Sequence, residues 1–234
     1  TLLSFIKNID LFMKKIHLLL AVLSLAVSSL FSQTPCENGM AGIYPCDNVD
    51  LMSTISLSEL GGVQNMNDIW GWTDSDSGRE FALIGMRNGT SFVEVTDPVN
   101  PLVIGFLATA TTNSLWRDVK VFNDYAFVVS EAGGHGMQVF DLAELLIDYD
   151  EYPVVFEQSA YYDLFGRAHN IAINEASGYA YGIGTSTFSG GLHFVDISDP
   201  LNPQVAGGFG ADGYTHDAQI VNYTGPDGDY FERE

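Results

Sequence analysis

Positively charged residues are scarce in this chain. Its 234 residues hold nine Lys and Arg against 30 Asp and Glu, which gives a formal net charge of −21. A surface of this sign repels nucleic acid and anionic lipid, so we expect neither as a partner. It suits a medium rich in divalent cations, among which calcium is a natural partner. Hydrophobic residues make up 46% of the chain and aromatic residues 12%, which favours a packed core over acidic disorder.

Long apolar runs are absent beyond the N-terminus. The charged start Met13-Lys14-Lys15, the apolar run 16–27 and the small-residue end 28–32 have the three-part form of a secretory signal peptide. We predict a signal peptide over residues 13–32, preceded by a non-native upstream segment over residues 1–12. The mature protein is then secreted to the extracellular space or the cell surface, with no membrane span. An uncleaved anchor is the alternative, although the run is short for a span of about 20 residues.

Cysteine is nearly absent too, since Cys36 and Cys46 are the only two. In an exported chain, two cysteines this close together are typical of a single disulfide. It would pin an N-terminal segment over residues 33–50. A metal or redox pair is the alternative, but the spacing fits neither C-x-x-C nor a zinc cluster.

What the chain does have is a repeat of about fifty residues with two landmarks. The first landmark is a polar pair before an apolar stretch, and its four copies are Asn67-Asp68-Ile69-Trp70, Arg117-Asp118-Val119-Lys120, His169-Asn170-Ile171-Ala172 and His216-Asp217-Ala218-Gln219. The second is an apolar strand ending in an acid, with copies that end at Glu94, Asp141 and Asp196. Two of these three continue into an Asp-Pro-x-Asn-Pro turn, at residues 97–101 and 199–203.

Each repeat reads as three or four short strands separated by Gly and Asn turns. The predicted strands are 69–73, 80–86, 90–95 and 102–107; 116–122, 125–130 and 137–142; and 170–174, 179–184, 191–197 and 204–209. This pattern predicts an all-β fold, a β-propeller with four-stranded blades of about 50 residues over 51–234. Residues 51–60 resemble a fourth strand without its preceding three. We expect three blades and part of a fourth, with the ring truncated at the C-terminus.

The second landmark resembles the LVIVD repeat, most closely in Met137-Gln138-Val139-Phe140-Asp141 and Leu192-His193-Phe194-Val195-Asp196. The order of longer motifs over residues 36–234 is similar to that of the choice-of-anchor B family of exported bacterial proteins. These motifs are 71–74, 131–142, 169–174 and 212–219. The resemblance implies repeats like those of propellers, a place outside the cytoplasm, and an anchor, if any, beyond the C-terminus. It implies no particular activity.

The first landmark is the best candidate for a site. If each copy starts the innermost strand of a blade, Asp68, Asp118, Asn170 and Asp217 form one polar tier around the channel, which could hold a cation such as Ca²⁺. Alternatively, these side chains satisfy backbone groups between blades. His169 and His216, with Asp118 or Asp217, could instead form an acid–base pair or ligate a transition metal.

No motif for catalysis accompanies these residues. The chain contains no H-E-x-x-H and no G-x-S-x-G, and none of its Gly-rich patches places G-x-G-x-x-G between a strand and a helix. The segment Asp74-Ser75-Asp76-Ser77-Gly78 starts like a calcium loop, but the twelfth position, which needs a bidentate Glu, is Gly85. The segment therefore predicts a hairpin turn. The three tryptophans are expected in the core or at the channel rim, and exposure would reopen their use as a sugar platform. We therefore predict a binding or interaction module, secreted or surface-anchored, for an unknown extracellular protein or glycan. The alternatives are a hydrolase or lyase with a His/Asp site at the channel mouth, and a structural spacer.

Overall fold

The computed structural model describes residues 33–229, so the predicted upstream segment 1–12 and signal peptide 13–32 lie outside the described residues. Within them the chain divides into two compact units, one of residues 33–54 and 98–100 and one of residues 55–97 and 101–229. Strands dominate the second unit, and the helices in residues 33–229 are two short 3-10 segments, Leu142–Leu146 and Phe188–Gly190. No helix in residues 33–229 is long and apolar enough to cross a membrane.

The first unit is the disulfide-bonded N-terminal segment. Its strands β1 (Met40–Ala41) and β2 (Tyr44–Pro45) pair antiparallel. Cys36 and Cys46 are joined by a disulfide with an S–S distance of 1.98 Å, which confirms the predicted bridge. Its ends are tied together, because Thr34 and Leu51 exchange two backbone hydrogen bonds of 2.7 and 2.9 Å.

Three sheets follow one another along the second unit. The first contains β3 (Met66–Thr73), β4 (Glu80–Met86), β5 (Gly89–Glu94) and β6 (Leu102–Ala108). The second contains β7 (Arg117–Phe122), β8 (Tyr125–Ser130) and β9 (Met137–Asp141), after which come β10 (Val154–Phe156) and β11 (Ala160–Tyr162). The third contains β12 (Asn170–Asn174), β13 (Tyr179–Ile183), β14 (Leu192–Asp196) and β15 (Gln204–Phe209). All eleven strands predicted for the three repeats are therefore present, and the protein is all-β.

The sheet orders are β10-β6-β5-β4-β3, β11-β9-β8-β7 and β12-β13-β14-β15. The first landmark thus starts the edge strands β3, β7 and β12, and the second landmark forms β5, β9 and β14. Where the Asp-Pro-x-Asn-Pro turn is present, the fourth strand of the sheet follows it directly. The copy that ends at Asp141 lacks this turn. There the chain enters a 3-10 helix, adds β10 in parallel to β6 of the first sheet, and returns as β11 beside β9.

The core lies between successive sheets. One buried cluster joins Trp72, Phe81, Phe92, Val128 and Phe140 between the first and second sheets. A second buried cluster lies between the second and third sheets, and includes Phe127, Val129, Val139, Ile171 and Val195. Residues 126–129 of β8 alternate between the two clusters because successive side chains of a strand point to opposite faces. The second sheet is therefore buried on both faces.

Two boundaries differ from the sequence expectation. The fourth strand predicted over residues 51–60 is wrong, since Leu51 makes only a single bridge and residues 57–61 form a turn. The Glu59 carboxylate accepts hydrogen bonds from the backbone N–H and the hydroxyl of Ser56, at 2.8 and 2.6 Å, which favours the turn over an extended chain. At the other end, residues 210–229 hold no strand longer than a single bridge. By contrast, the predicted turn at Asp74–Gly78 is confirmed between β3 and β4.

Candidate functional site

The carboxylates of the first landmark hold neighbouring sheets together. Asp68 Oδ2 accepts a hydrogen bond of 2.9 Å from the backbone N–H of Val119 in β7. Asp118 Oδ2 makes the same contact one sheet further on, with the backbone N–H of Ile171 in β12 at 2.8 Å. Edge strands carry unpaired backbone groups that need partners. Asp68 and Asp118 supply such partners. This is the role of the alternative interpretation, in which the landmark side chains satisfy backbone groups between neighbouring sheets.

The two asparagines of the landmark donate hydrogen bonds to backbone carbonyls of the next copy. Asn67 Nδ2 donates to the carbonyl of Arg117 at 2.7 Å, and Asn170 Nδ2 donates to the carbonyl of His216 at 2.9 Å. The four bonds join residues 50, 51, 53 and 46 positions apart. That spacing is the sequence period. Each copy of the first landmark is thus hydrogen-bonded through its side chains to the backbone of the next copy.

Asp118 is the most deeply buried of these carboxylates. Burial, reinforced by a hydrogen bond with Asp68, raises the pKa of Asp118 to about 6, against the opposing effect of Lys120. The ammonium of Lys120 lies 2.5 Å from Asp118 Oδ1 and 4.5 Å from the centre of the Trp70 ring. Lys120 therefore offsets part of the negative charge that the two neighbouring carboxylates concentrate here.

All four residues of the predicted calcium tier lie around one pocket of about 470 Å³. Asp68 and Asp118 each commit one oxygen to a backbone N–H, and Asn170 commits its amide N–H. Asp217 is exposed, and its Oδ1 accepts from the N–H of Ala218 next to it at 2.8 Å. Within residues 33–229 no three His, Cys, Asp or Glu side chains are grouped so that they could hold a metal ion. A Ca²⁺ ion at this tier stays a prediction.

An adjoining pocket of about 360 Å³ contains the two candidate histidines. It is lined by Asn67, Asp68, Trp116, Arg117, Asp118, His169, Asn170 and His216. Three of the four residues named for catalysis, His169, His216 and Asp118, therefore meet at one pocket. Asp217, the fourth, lines only the tier pocket described above.

His169 is held between a carboxylate and a second imidazole. Its Nδ1 lies 2.7 Å from Oε1 of Glu131, and its Nε2 lies 3.1 Å from Nε2 of His216. A carboxylate at Nδ1 accepts the ring proton there and leaves Nε2 as the basic nitrogen. The exposed ring of Trp116 lies edge-on to the imidazole of His169, with 6.2 Å between the ring centroids. The sequence did not indicate Glu131 as part of a site, although Glu131 opens the long motif 131–142. The exposure of Trp116 reopens the use as a sugar platform that the sequence left conditional.

The buried Arg117 also lines this pocket, and among residues 33–229 it has no carboxylate partner. Arg117 is 1% exposed, and its guanidinium donates to the Met86 carbonyl at 2.9 Å and to Thr109 Oγ1 at 2.7 Å. Its Nη1 lies 2.9 Å from Nε2 of His135. Because guanidinium can only donate, His135 Nε2 must accept, and Nδ1 then donates to the Gly136 carbonyl at 3.0 Å.

Burial disfavours the charged forms of both Arg117 and His135 and so lowers their pKa values. Burial lowers the pKa of Arg117 to about 10. Burial, with the nearby Arg117 charge, lowers the pKa of His135 to about 4, so the imidazole is neutral at neutral pH. The backbone N–H of His135 closes a tight turn by donating to the Ala132 carbonyl at 3.1 Å, while its side chain is fully buried. Arg117 joins the second sheet to the first, because Met86 belongs to β4.

Comparison with models of protein families finds no match for this chain. Comparison with curated proteins finds no match either.

Proposed function

We propose that residues 51–234 belong to a β-propeller of the LVIVD, choice-of-anchor B type, with the three sheets as successive blades. Three sheets of similar order, spaced at the sequence period and joined by equivalent hydrogen bonds from Asp68 and Asp118, support this arrangement. The chain after β15 supports a fourth unit, because Asn170 and Asn174 of β12 both bond to it, at His216 and Asn222. In a propeller, β3, β7 and β12 are the innermost strands and surround the channel.

We further propose that the protein is exported and works outside the cytoplasm as a binding module. The disulfide Cys36–Cys46 supports this, since disulfides persist in oxidising compartments. The strongly acidic composition and the three-part sequence of residues 13–32 support it as well.

The ligand that we propose is a neutral glycan, bound at the pocket of Trp116, His169 and His216. The observation that carries this is the exposure of Trp116, which is 47% accessible at the edge of a pocket otherwise lined with amide, imidazole and carboxylate groups. Neutral sugars offer apolar ring faces to an aromatic side chain and hydroxyls to such polar groups. Acidic sugars would be repelled by the net charge of −21.

Thermal melts and tryptophan fluorescence with soluble oligosaccharides test this proposal. The probes are cellobiose, chitobiose and maltotriose, with a uronic acid oligomer as the acidic arm. At least one neutral sugar should raise the melting temperature of the wild-type protein and of the matched control Trp70→Ala, which alters the other exposed tryptophan. Trp116→Ala should lose the shift. Equal shifts in Trp116→Ala, or no shift with any sugar, would refute glycan binding at this pocket.

A hydrolase or lyase is the second candidate, favoured by the Glu131–His169 contact of 2.7 Å. A carboxylate that fixes one ring nitrogen leaves the other as a general base facing the pocket. Mass spectrometry of the same sugars after incubation distinguishes the two functions. Shorter products that disappear with Glu131→Gln would favour the enzyme, and intact sugars would favour the binding module.

A further inference from the structure

We propose that His169 and His216 form a site for a divalent metal ion of the zinc class, distinct from the predicted calcium tier. The proposal does not rest on glycan binding, because it concerns the two imidazoles and a metal alone. Imidazole nitrogen is a preferred ligand of Zn²⁺, Cu²⁺ and Ni²⁺, whereas Ca²⁺ takes six to eight oxygens.

The first argument is the geometry of the two rings. Their Nε2 atoms are 3.1 Å apart while their centroids are 4.4 Å apart, so the centroid distance exceeds the nitrogen distance by only 1.3 Å. Two rings that met head-on in an N–H···N bond would add a full ring radius at each end. The two rings therefore do not meet head-on, and their planes are inclined by 53°. Rotation of the exposed His216 ring can direct both lone pairs at one ion.

The second argument is the distance between the nitrogens. With metal–nitrogen bonds of about 2.0–2.1 Å, two nitrogens 3.1 Å apart would subtend an angle of about 100° at a shared ion. A tetrahedral angle needs only a few tenths of an ångström of further separation. Because His216 is exposed and lies outside the strands, it can make this adjustment.

The third argument is the support of His169. Glu131 Oε1 lies 2.7 Å from Nδ1, and a carboxylate in this position fixes the tautomer and orientation of a metal-binding histidine. Within residues 33–229 no third His, Cys, Asp or Glu completes the set. The ion would therefore keep water or a ligand at its remaining positions, open to the pocket.

Isothermal titration calorimetry with ZnCl₂ tests the site directly. The full secreted protein, without a polyhistidine tag, is stripped with EDTA and then dialysed free of it. One equivalent of Zn²⁺ should bind, and excess CaCl₂ should not displace it. His216→Ala should abolish this binding, and Glu131→Gln should weaken it by about 10- to 100-fold through its effect on His169.

Asp217→Asn is the matched control, because it removes a carboxylate next to His216 that lines the other pocket. It should leave Zn²⁺ binding unchanged. Co²⁺ gives a second readout, since a visible absorption band from nitrogen coordination should appear in the wild-type protein and be lost in His216→Ala. The metal-free melting curve of each variant shows that it has folded, and exposed His216 should tolerate alanine.

Two results would overturn the proposal. One is a wild-type Zn²⁺ isotherm identical to that of His216→Ala, which would leave a simple hydrogen bond between the rings. The other is displacement of Zn²⁺ by Ca²⁺, which would place the ion among carboxylates. Since no sugar is present, either result leaves the glycan proposal unaffected.

Discussion

Replacing Asp118 by Asn removes a buried carboxylate from the contact between the second and third sheets. The substitution keeps an oxygen that can accept the Ile171 N–H, which Asp118 Oδ2 accepts at 2.8 Å in the wild-type protein. It loses the ion pair with Lys120 at 2.5 Å and the proton that Asp118 can share with Asp68. The variant therefore isolates the ionisation of this group.

The magnitude follows from the pKa. Burial and Asp68 raise the pKa of Asp118 from 3.8 to about 6. As the pH rises from 4 to 7, the unfolded chain releases this proton before the folded protein does, so ionisation of this carboxyl opposes folding. The wild-type protein should lose about 2 kcal/mol of stability from this group over that range. Asp118→Asn cannot titrate, so it should gain about 2 kcal/mol relative to the wild type between pH 4 and pH 7.

Urea unfolding of both proteins at pH 4, 5, 6 and 7 measures this difference, in which the contributions of titrating groups that do not interact with Asp118 cancel. Asp217→Asn is the control, since it makes the same change at an exposed copy of the landmark. A pH-independent difference for Asp118→Asn would refute the raised pKa. A difference of opposite sign would mean that the ion pair with Lys120 outweighs burial.

Two further predictions concern the contacts between sheets. Tyr162→Phe leaves Nε2 of buried His193, now 2.6 Å from the tyrosine hydroxyl, without a partner, and should cost about 1–3 kcal/mol in urea unfolding at pH 7. Because burial lowers the pKa of His193, the wild-type protein should also lose stability from this group as the pH falls below about 6.5; a His193→Gln variant with the same loss would contradict this. Phe140→Ala should lower the free energy of unfolding by about 3–5 kcal/mol. The Phe140 ring packs on Phe92 and Phe156, with ring centroids 4.6 and 5.0 Å apart. The exposed Phe209→Ala should stay within about 0.5 kcal/mol of wild type, and equal losses in the two variants would show that the core does not lie between the sheets.

The strands could be predicted from the sequence because alternation and turn residues are local signals. The third sheet, from β12 to β15, matches its prediction within one residue at each end. The short strands β10 and β11 were missed because three residues are too few to show a period. The absence of an Asp-Pro turn after Asp141 was the available signal that the chain would leave the pattern there.

The site was predicted less completely than the fold. The landmark residues did mark the edge strands, and three of the four catalytic candidates share a pocket. Their partners could not be foreseen, since Glu131 is 38 residues from His169 and no local pattern joins them. Arg117 was harder still. Arginine is seldom fully buried, and His135 reaches its guanidinium from a loop of the same sheet, 18 residues further along the chain.

The parallel pairing of β10 with β6 has a consequence for how such a chain can grow. Duplication of a whole repeat between the second and third sheets would interrupt only a loop. Duplication of a repeat between the first and second sheets would have to break the backbone hydrogen bonds that pair residues 154–156 with β6 of the first sheet. We therefore expect the first two sheets to be gained or lost together, and repeats that differ in number among related chains to fall after residue 162.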